Sequence, residues 1–114
     1  MEGADMGCRV VVCYGHPEDS GAFDAHYRTT HIPLARKIPG LSGYTWGKCS
    51  ALDGAAPAYY AIASLCFPDA ETMHAGLASK EMRDAARDVR NFATGGVTMY
   101  TLEEESVHGG EGEV

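Results

Sequence analysis

Positive charge is scarce in this chain: nine Lys and Arg stand against sixteen Asp and Glu, a formal net charge of −7 over 114 residues. Neutralising phosphates takes a basic stripe, and none is present, so nucleic acid is not an expected partner. Long apolar runs are missing too. No stretch of about eighteen apolar residues exists to span a bilayer, and the N-terminus lacks the basic region and apolar segment of a secretory signal. A cytoplasmic protein with no membrane partner is the expectation. The four cysteines, Cys8, Cys13, Cys49 and Cys66, form no CxxC pair and fall in or beside apolar, strand-like runs. They read as small buried hydrophobes kept as thiols in a reducing compartment, not as a zinc site or a disulfide framework. There is no GxGxxG, Walker A or nucleophile elbow, which removes the signatures of dinucleotide, nucleoside-triphosphate and serine-hydrolase chemistry. His16, His26 and His74 show no metal spacing, and His26 and His31 are five apart, a separation that an α-helix does not align. No metal is expected.

The acidity is concentrated at one end. Glu103, Glu104, Glu105, Glu111 and Glu113 lie in the last twelve residues, which hold no Lys or Arg; the remainder carries nine basic and eleven acidic residues. The chain divides into a loose N-terminal arm (1–7), one domain (8–104) and an acidic, Gly-rich tail (105–114), a size that supports a single core.

Within the domain, Cys8–Tyr14 (CRVVVCY) is a β-branched run that predicts a first strand. After the turn GHPEDSG, Asp19 or Ser20 caps a helix in which Phe23, Tyr27 and His31 recur every four residues along one face. Pro33 disfavours α geometry at Ile32 and lacks the N–H that bonds one turn back, so the helix breaks or kinks near residues 30–32 and resumes with Pro33 in its first turn. Residues 41–49 alternate as a second strand and 58–67 form a third. Asp69 caps a second helical region that restarts near Ser79, where Met82, Ala85, Ala86, Val89 and Phe92 make a 3–4–3 apolar stripe. Gly95-Gly96 stops it, and 97–102 is a fourth strand.

The order β-α-β-β-α-β predicts an α+β, ferredoxin-like fold: a four-stranded antiparallel sheet, first and third strands central, with both helical layers on one face. Those central strands are apolar on both faces, whereas the helices cover one. A second copy packed sheet on sheet is the economical cover, giving a homodimer and an enclosed interior between the sheets for a small hydrophobic or aromatic molecule.

His31 is the candidate for chemistry. It sits at the Pro33 break, and an imidazole serves as acid or base near neutrality; the alternative is a core histidine bonded to a carbonyl freed at the kink. Tyr27, one turn earlier, is placed to donate a hydrogen bond to His31 or to a substrate oxygen, or is ordinary packing. Tyr14, Trp46 and Tyr60 are candidate substrate-contacting aromatics by strand alternation, although aromatics in central strands commonly serve as core.

The stretch AFDAHYRTTHIPLARKIPGLSGY (residues 22–44) resembles the signature of EthD proteins of the dimeric α/β-barrel superfamily, and RNFATGGVTMYTLEE (90–104) is similar to that family's closing stretch. Trp46 is not part of the pattern. The resemblance implies a homodimeric α/β barrel with His31 at a signature position. Relatives in the wider superfamily include cofactor-free anthrone oxygenases, polyketide cyclases, lactone isomerases and haem proteins. It therefore implies cofactor-free acid/base chemistry in catabolism or secondary metabolism, on an aromatic, phenolic or enolisable substrate. Cyclisation, isomerisation, decarboxylation and cofactor-free oxygenation all fit. No cofactor is expected; haem, which needs one histidine, is the minority alternative. A non-catalytic binding or accessory protein of an oxidative catabolic system is the competing reading.

Overall fold

A computed structural model of the chain describes residues 7–107; most of the N-terminal arm and the end of the acidic tail lie outside the described residues. β1 (Cys8–Tyr14) lies between β3 (Ala61–Phe67) and β4 (Val97–Glu103), and β2 (Gly43–Lys48) completes the sheet on the far side of β3. The order is β2-β3-β1-β4 with every pairing antiparallel, the ferredoxin-like arrangement that the sequence predicts. No helix among the described residues is long and apolar enough to cross a membrane. No disulfide joins the four cysteines: Cys8 and Cys13 are buried, Cys49 and Cys66 half-buried.

Strand alternation sorts the sheet into two faces. Cys8, Val10, Val12 and Tyr14 of β1 and Ala61, Ala63, Leu65 and Phe67 of β3 are buried beneath the helices. The register puts Arg9 beside Cys66 and Leu102, and Val11 beside Ser64 and Tyr100, on the opposite face. Among the described residues no helix covers that face; Cys13 at its end is buried, but Tyr100 and Leu102 remain 55% and 39% exposed.

The helices start where capping side chains allow. Asp19 accepts from the Ala22 N–H to open α1 (Ser20–His26), Asp69 from the Thr72 N–H to open α3 (Ala70–Leu77), and Ser79 from the Met82 N–H to open α4 (Lys80–Asp88). Each bond satisfies one of the amides that a helix start leaves without a partner. Gly76 lets α3 lie directly on the sheet, since a Cβ there would stand 2.8 Å from the Phe67 ring and 2.9 Å from the Pro39 carbonyl. A 3-10 turn (Val89–Asn91) ends α4, and Gly96 turns the chain into β4 at φ +91°, a conformation that favours glycine.

Between α1 and α2 (Ile32–Ala35) the chain neither breaks nor kinks into a loop. Residues Tyr27–His31 form one π-helical turn, and the Ile32 N–H bonds the Tyr27 carbonyl five residues back. Pro33 is the physical cause: it has no N–H to offer Thr29, and its ring would crowd that carbonyl in α register. Widening the turn relieves both while the backbone bonding runs on from α1 into α2. Such insertions recur at functional sites, and this one determines where two histidines point.

Candidate active site

The space beside His31 is a cavity of about 120 Å³ between the helix-covered face of the sheet and the helices of the same protomer. Val12, Tyr14, Ala63 and Leu65 form its floor, and Ala35, Met82 and Val89 form its roof. The sequence reading put the interior between two sheets; here the π turn carries His31 over the helix-side face, and the cavity it lines lies within one protomer. A dry apolar cavity of about 150 Å³ holds a benzene ring, which sets the scale for the part of a ligand enclosed here. Val97 and Met99 of β4 also line the cavity yet are 39% and 43% exposed, so its mouth opens along that edge.

His31 is 5% exposed and its Nδ1 lies 3.0 Å from Oδ2 of Asp88, itself 7% exposed. An ionised carboxylate only accepts, so Nδ1 carries the proton and Nε2 its lone pair. Nε2 has no hydrogen-bond partner among the described residues. Burial would raise the Asp88 carboxyl, but donors from Asn91, His26 and His31 outweigh it and hold the group below its ordinary range. Burial lowers the His31 imidazole, and the attraction of Asp88 only partly offsets that. At neutral pH the pair is a carboxylate beside a neutral imidazole, the resting state of a general base with its tautomer fixed from behind.

Asp88 has two further donors. His26 Nε2 bridges its oxygens at 2.9 and 3.1 Å, and Asn91 Nδ2 donates to Oδ1 at 2.9 Å. In α register, residues 26 and 31 would diverge; the π turn brings both to one carboxylate. Among the described residues no group of His, Cys, Asp and Glu is set to hold a metal ion.

Facing the histidine is a pair of phenols. The Tyr27 and Tyr44 hydroxyls are 2.8 Å apart, and both residues line the cavity. Burial pushes Tyr14, Tyr27 and Tyr44 above the ordinary phenol value, so all three keep their protons. The Tyr27–Tyr44 bond uses one of that pair's two protons, and Tyr14 adds a further hydrogen-bonding hydroxyl beside Tyr27, so the three phenols together keep one proton to offer a ligand oxygen. Tyr27 is fully buried, its ring 5.3 Å from the His31 ring.

Tyr14, Tyr27 and His31 thus meet at the cavity, whereas Trp46 and Tyr60 do not. Trp46 packs 4.3 Å from the outer side of the Tyr27 ring and lines a separate recess with Ile32, Arg36 and Tyr44. The Tyr60 hydroxyl donates to Asp24 at 2.8 Å, beyond the cavity's end. Sequence reasoning missed Asp88, His26, Asn91 and Tyr44. Asp88 left a signal: it stands three residues after Ala85 and four before Phe92, a charge on the buried stripe of its own helix.

Residues 16–96 match the EthD domain. An uncharacterized 11.0 kDa protein from the thcB-thcC intergenic region of Rhodococcus erythropolis is 46% identical over 87% of this chain and 96% of its own. A crystal structure of a Bacillus halodurans ethyl tert-butyl ether d (EthD) family protein superposes with a TM-score of 0.80 at 30% identity, over 87% of this chain and 99% of that one. A dimeric ferredoxin-like protein of Thermobifida fusca has the same fold (TM-score 0.64, 17% identity, 86% and 91% of the two chains). So do two enzymes of low identity. They are a hydroxynitrile lyase from Passiflora edulis (TM-score 0.70, 11%, 90% and 97% covered) and the cofactor-independent oxygenase SnoaB of Streptomyces nogalater (TM-score 0.57, 16%, 87% and 92% covered).

Proposed function

The chain belongs to the EthD family, and from that premise we propose a cofactor-free acid/base enzyme whose substrate is a small aromatic, phenolic or otherwise enolisable molecule. One observation carries the reading: an imidazole, bonded from behind to a buried carboxylate, lines an apolar cavity together with a hydrogen-bonded phenol pair. His31 Nε2 takes a proton from carbon next to a carbonyl, or from a phenolic oxygen. The electron pair left behind moves onto oxygen, where the spare phenol proton meets the developing charge. Asp88 stabilises the imidazolium without itself being protonated. The enolate then follows its own structure: reprotonation elsewhere isomerises it, attack on a second carbonyl cyclises it, and reaction with dioxygen oxygenates it.

The competing reading, a non-catalytic holder of a hydrophobic metabolite, would be favoured by a His31 bonded to backbone in a purely apolar cavity. Its bond to Asp88 and the converging phenols favour catalysis. Incubation with a panel of small aryl ketones in D2O, followed by proton NMR, tests this. The native protein should wash out α-hydrogens, and His31→Gln should slow the exchange by about 10²–10⁴-fold. Binding without exchange across the panel, or equal exchange by the variant, overturns the proposal.

The uncovered face of the sheet belongs to the same reading: a second copy covers Val11, Ile62, Tyr100 and Leu102, in line with the dimeric relative. Light scattering should give about twice the 12.1 kDa chain mass, and Leu102→Asp should shift it to the monomer. A native monomer at micromolar concentration removes this part of the proposal.

A further inference from the structure

Asp88 serves two imidazoles that differ in their access to water. His31 lies inside, its side chain 6% exposed; His26 lies outside, its side chain 28% exposed. Both rings touch Phe92, with centroids 4.8 Å from His31 and 5.4 Å from His26, so the same aromatic ring braces them. Both are within 3.1 Å of the carboxylate, His26 through both oxygens. The carboxylate accepts, so neutral His26 carries its proton on Nε2, and its Nδ1 makes no hydrogen bond among the described residues. A second proton on His26 therefore enters at Nδ1 and disturbs none of the four contacts to Asp88. It does place a positive charge against the carboxylate that supports His31.

We propose that His26 is a positioning residue that sets the basicity of His31 through the shared Asp88 carboxylate. It has two effects. Its Nε2–H fixes the carboxylate's orientation, so that Oδ2 stays on His31 Nδ1. Its charged form draws off part of the carboxylate's attraction for an imidazolium at position 31. The base is thereby kept neutral, and able to accept a proton, at acidities where an isolated His–Asp pair would already be protonated. The facing groups are few. Among the described residues Asp88 of α4 is the ion-pair partner of His26, His31 of the π turn lies across that carboxylate, and Asn91 of the 3-10 turn shares Oδ1 without carrying charge. The value of this coupling to catalysis rests on the assignment of His31 as the base; the coupling itself does not.

The test needs no substrate. Imidazole resonances of the labelled protein are followed by NMR against pH, for the native chain and for His26→Gln, which keeps an N–H donor but cannot charge. The titration midpoint of His31 should rise by about 0.5–1 unit in the variant, the size of a charge interaction across a half-exposed site. His26→Asn, which likewise cannot charge, decides the matter should the first variant fail to fold. Superimposable His31 curves for the native chain and the variant that folds overturn the proposal. In the exchange assay the acid limb of the rate profile should move to higher pH in His26→Gln by the same amount as the resonance. Failure of His31→Gln to slow exchange would sink the base assignment and leave the NMR coupling standing, so the two failures are distinguishable.

Discussion

Two carboxylates near α1 receive bonds of similar length, yet they serve different ends. Asp24 accepts from the Tyr60 hydroxyl and from Lys48 Nζ, both at 2.8 Å; Asp88 accepts from two imidazoles and an amide at 2.9 to 3.1 Å. In both, burial acts to raise the carboxyl and the donors outweigh it, leaving the group below its ordinary value. The difference lies in exposure and in the partner. Asp24 is 20% exposed at the side chain and meets an ammonium that is itself 44% exposed; Asp88 is 7% exposed and meets rings that can be neutral. The first is a clamp that ties α1 to β2 and to the residue before β3. The second, with the same count of lone pairs, fixes the tautomer of His31 and, in the proposed reading, tunes its basicity, because low dielectric and a titratable partner make its charge matter.

The sharpest way to break this comparison is to remove each carboxylate in turn. Asp88→Ala leaves the buried His31 without its acceptor, while water reaches His26 and Asn91, and removing the buried partner of a charge-assisted pair costs about 3 kcal/mol. The expected fall in Tm is about 12 °C or more. Asp24→Ala frees a lysine and a phenol that water can reach, and the expected fall is a few degrees. Equal melting curves for the two variants would show that burial does not separate the sites.

Acidification gives a smaller and more selective effect. His31 titrates below its ordinary 6.5 in the folded protein, so the unfolded chain binds its proton first and stability falls as pH drops through that value. The Asp88 and Asp24 contributions run in the same direction but are lost only as pH falls below the ordinary 3.8. The Tm-against-pH curve should therefore begin to decline just below about pH 6.5, with a steeper loss in the carboxylate range. His31→Gln should flatten the first decline and leave the second. A variant curve that still declines in the first window assigns that loss to another group.

The sequence disclosed the frame of this molecule and one member of its buried His–Asp pair. The β-branched run CRVVVCY, capping at Asp19, Asp69 and Ser79, and the glycine stop at Gly96 are local signals, and the structure follows them closely. Pro33 announced an irregularity at His31, but a missing N–H permits a break, a kink or a π turn, and only packing against the sheet selects among them. That choice hid His26, whose five-residue spacing from His31 is meaningless in α register. Asp88 was hidden differently, since a lone aspartate on a stripe of Met, Ala, Val and Phe reads as the edge of the polar face until its partners are known. Trp46 and Tyr60 show the limit of alternation: it assigns a side of the sheet and says nothing of how far along the strand the helices leave a cavity.

The smallest expected effect belongs to the exposed clamp. Lys48→Met keeps the stem that passes over the Trp46 and Tyr60 rings, 5.9 and 5.0 Å from its Nζ, and removes only the charge. Asp24 keeps the Tyr60 hydroxyl, and water reaches the oxygen that Lys48 vacates. An ion pair this exposed contributes little to stability, and salt screens it further. The Tm should fall by about 4 °C or less at low ionic strength, and the difference should shrink when about 0.5 M NaCl is added. Exchange at His31 should be unchanged, because Asp24 shares no partner with Asp88 among the described residues. A Lys48→Met variant that loses exchange activity while melting normally would mean that the clamp on α1 sets the geometry of the π turn, and the two carboxylates would then be one system.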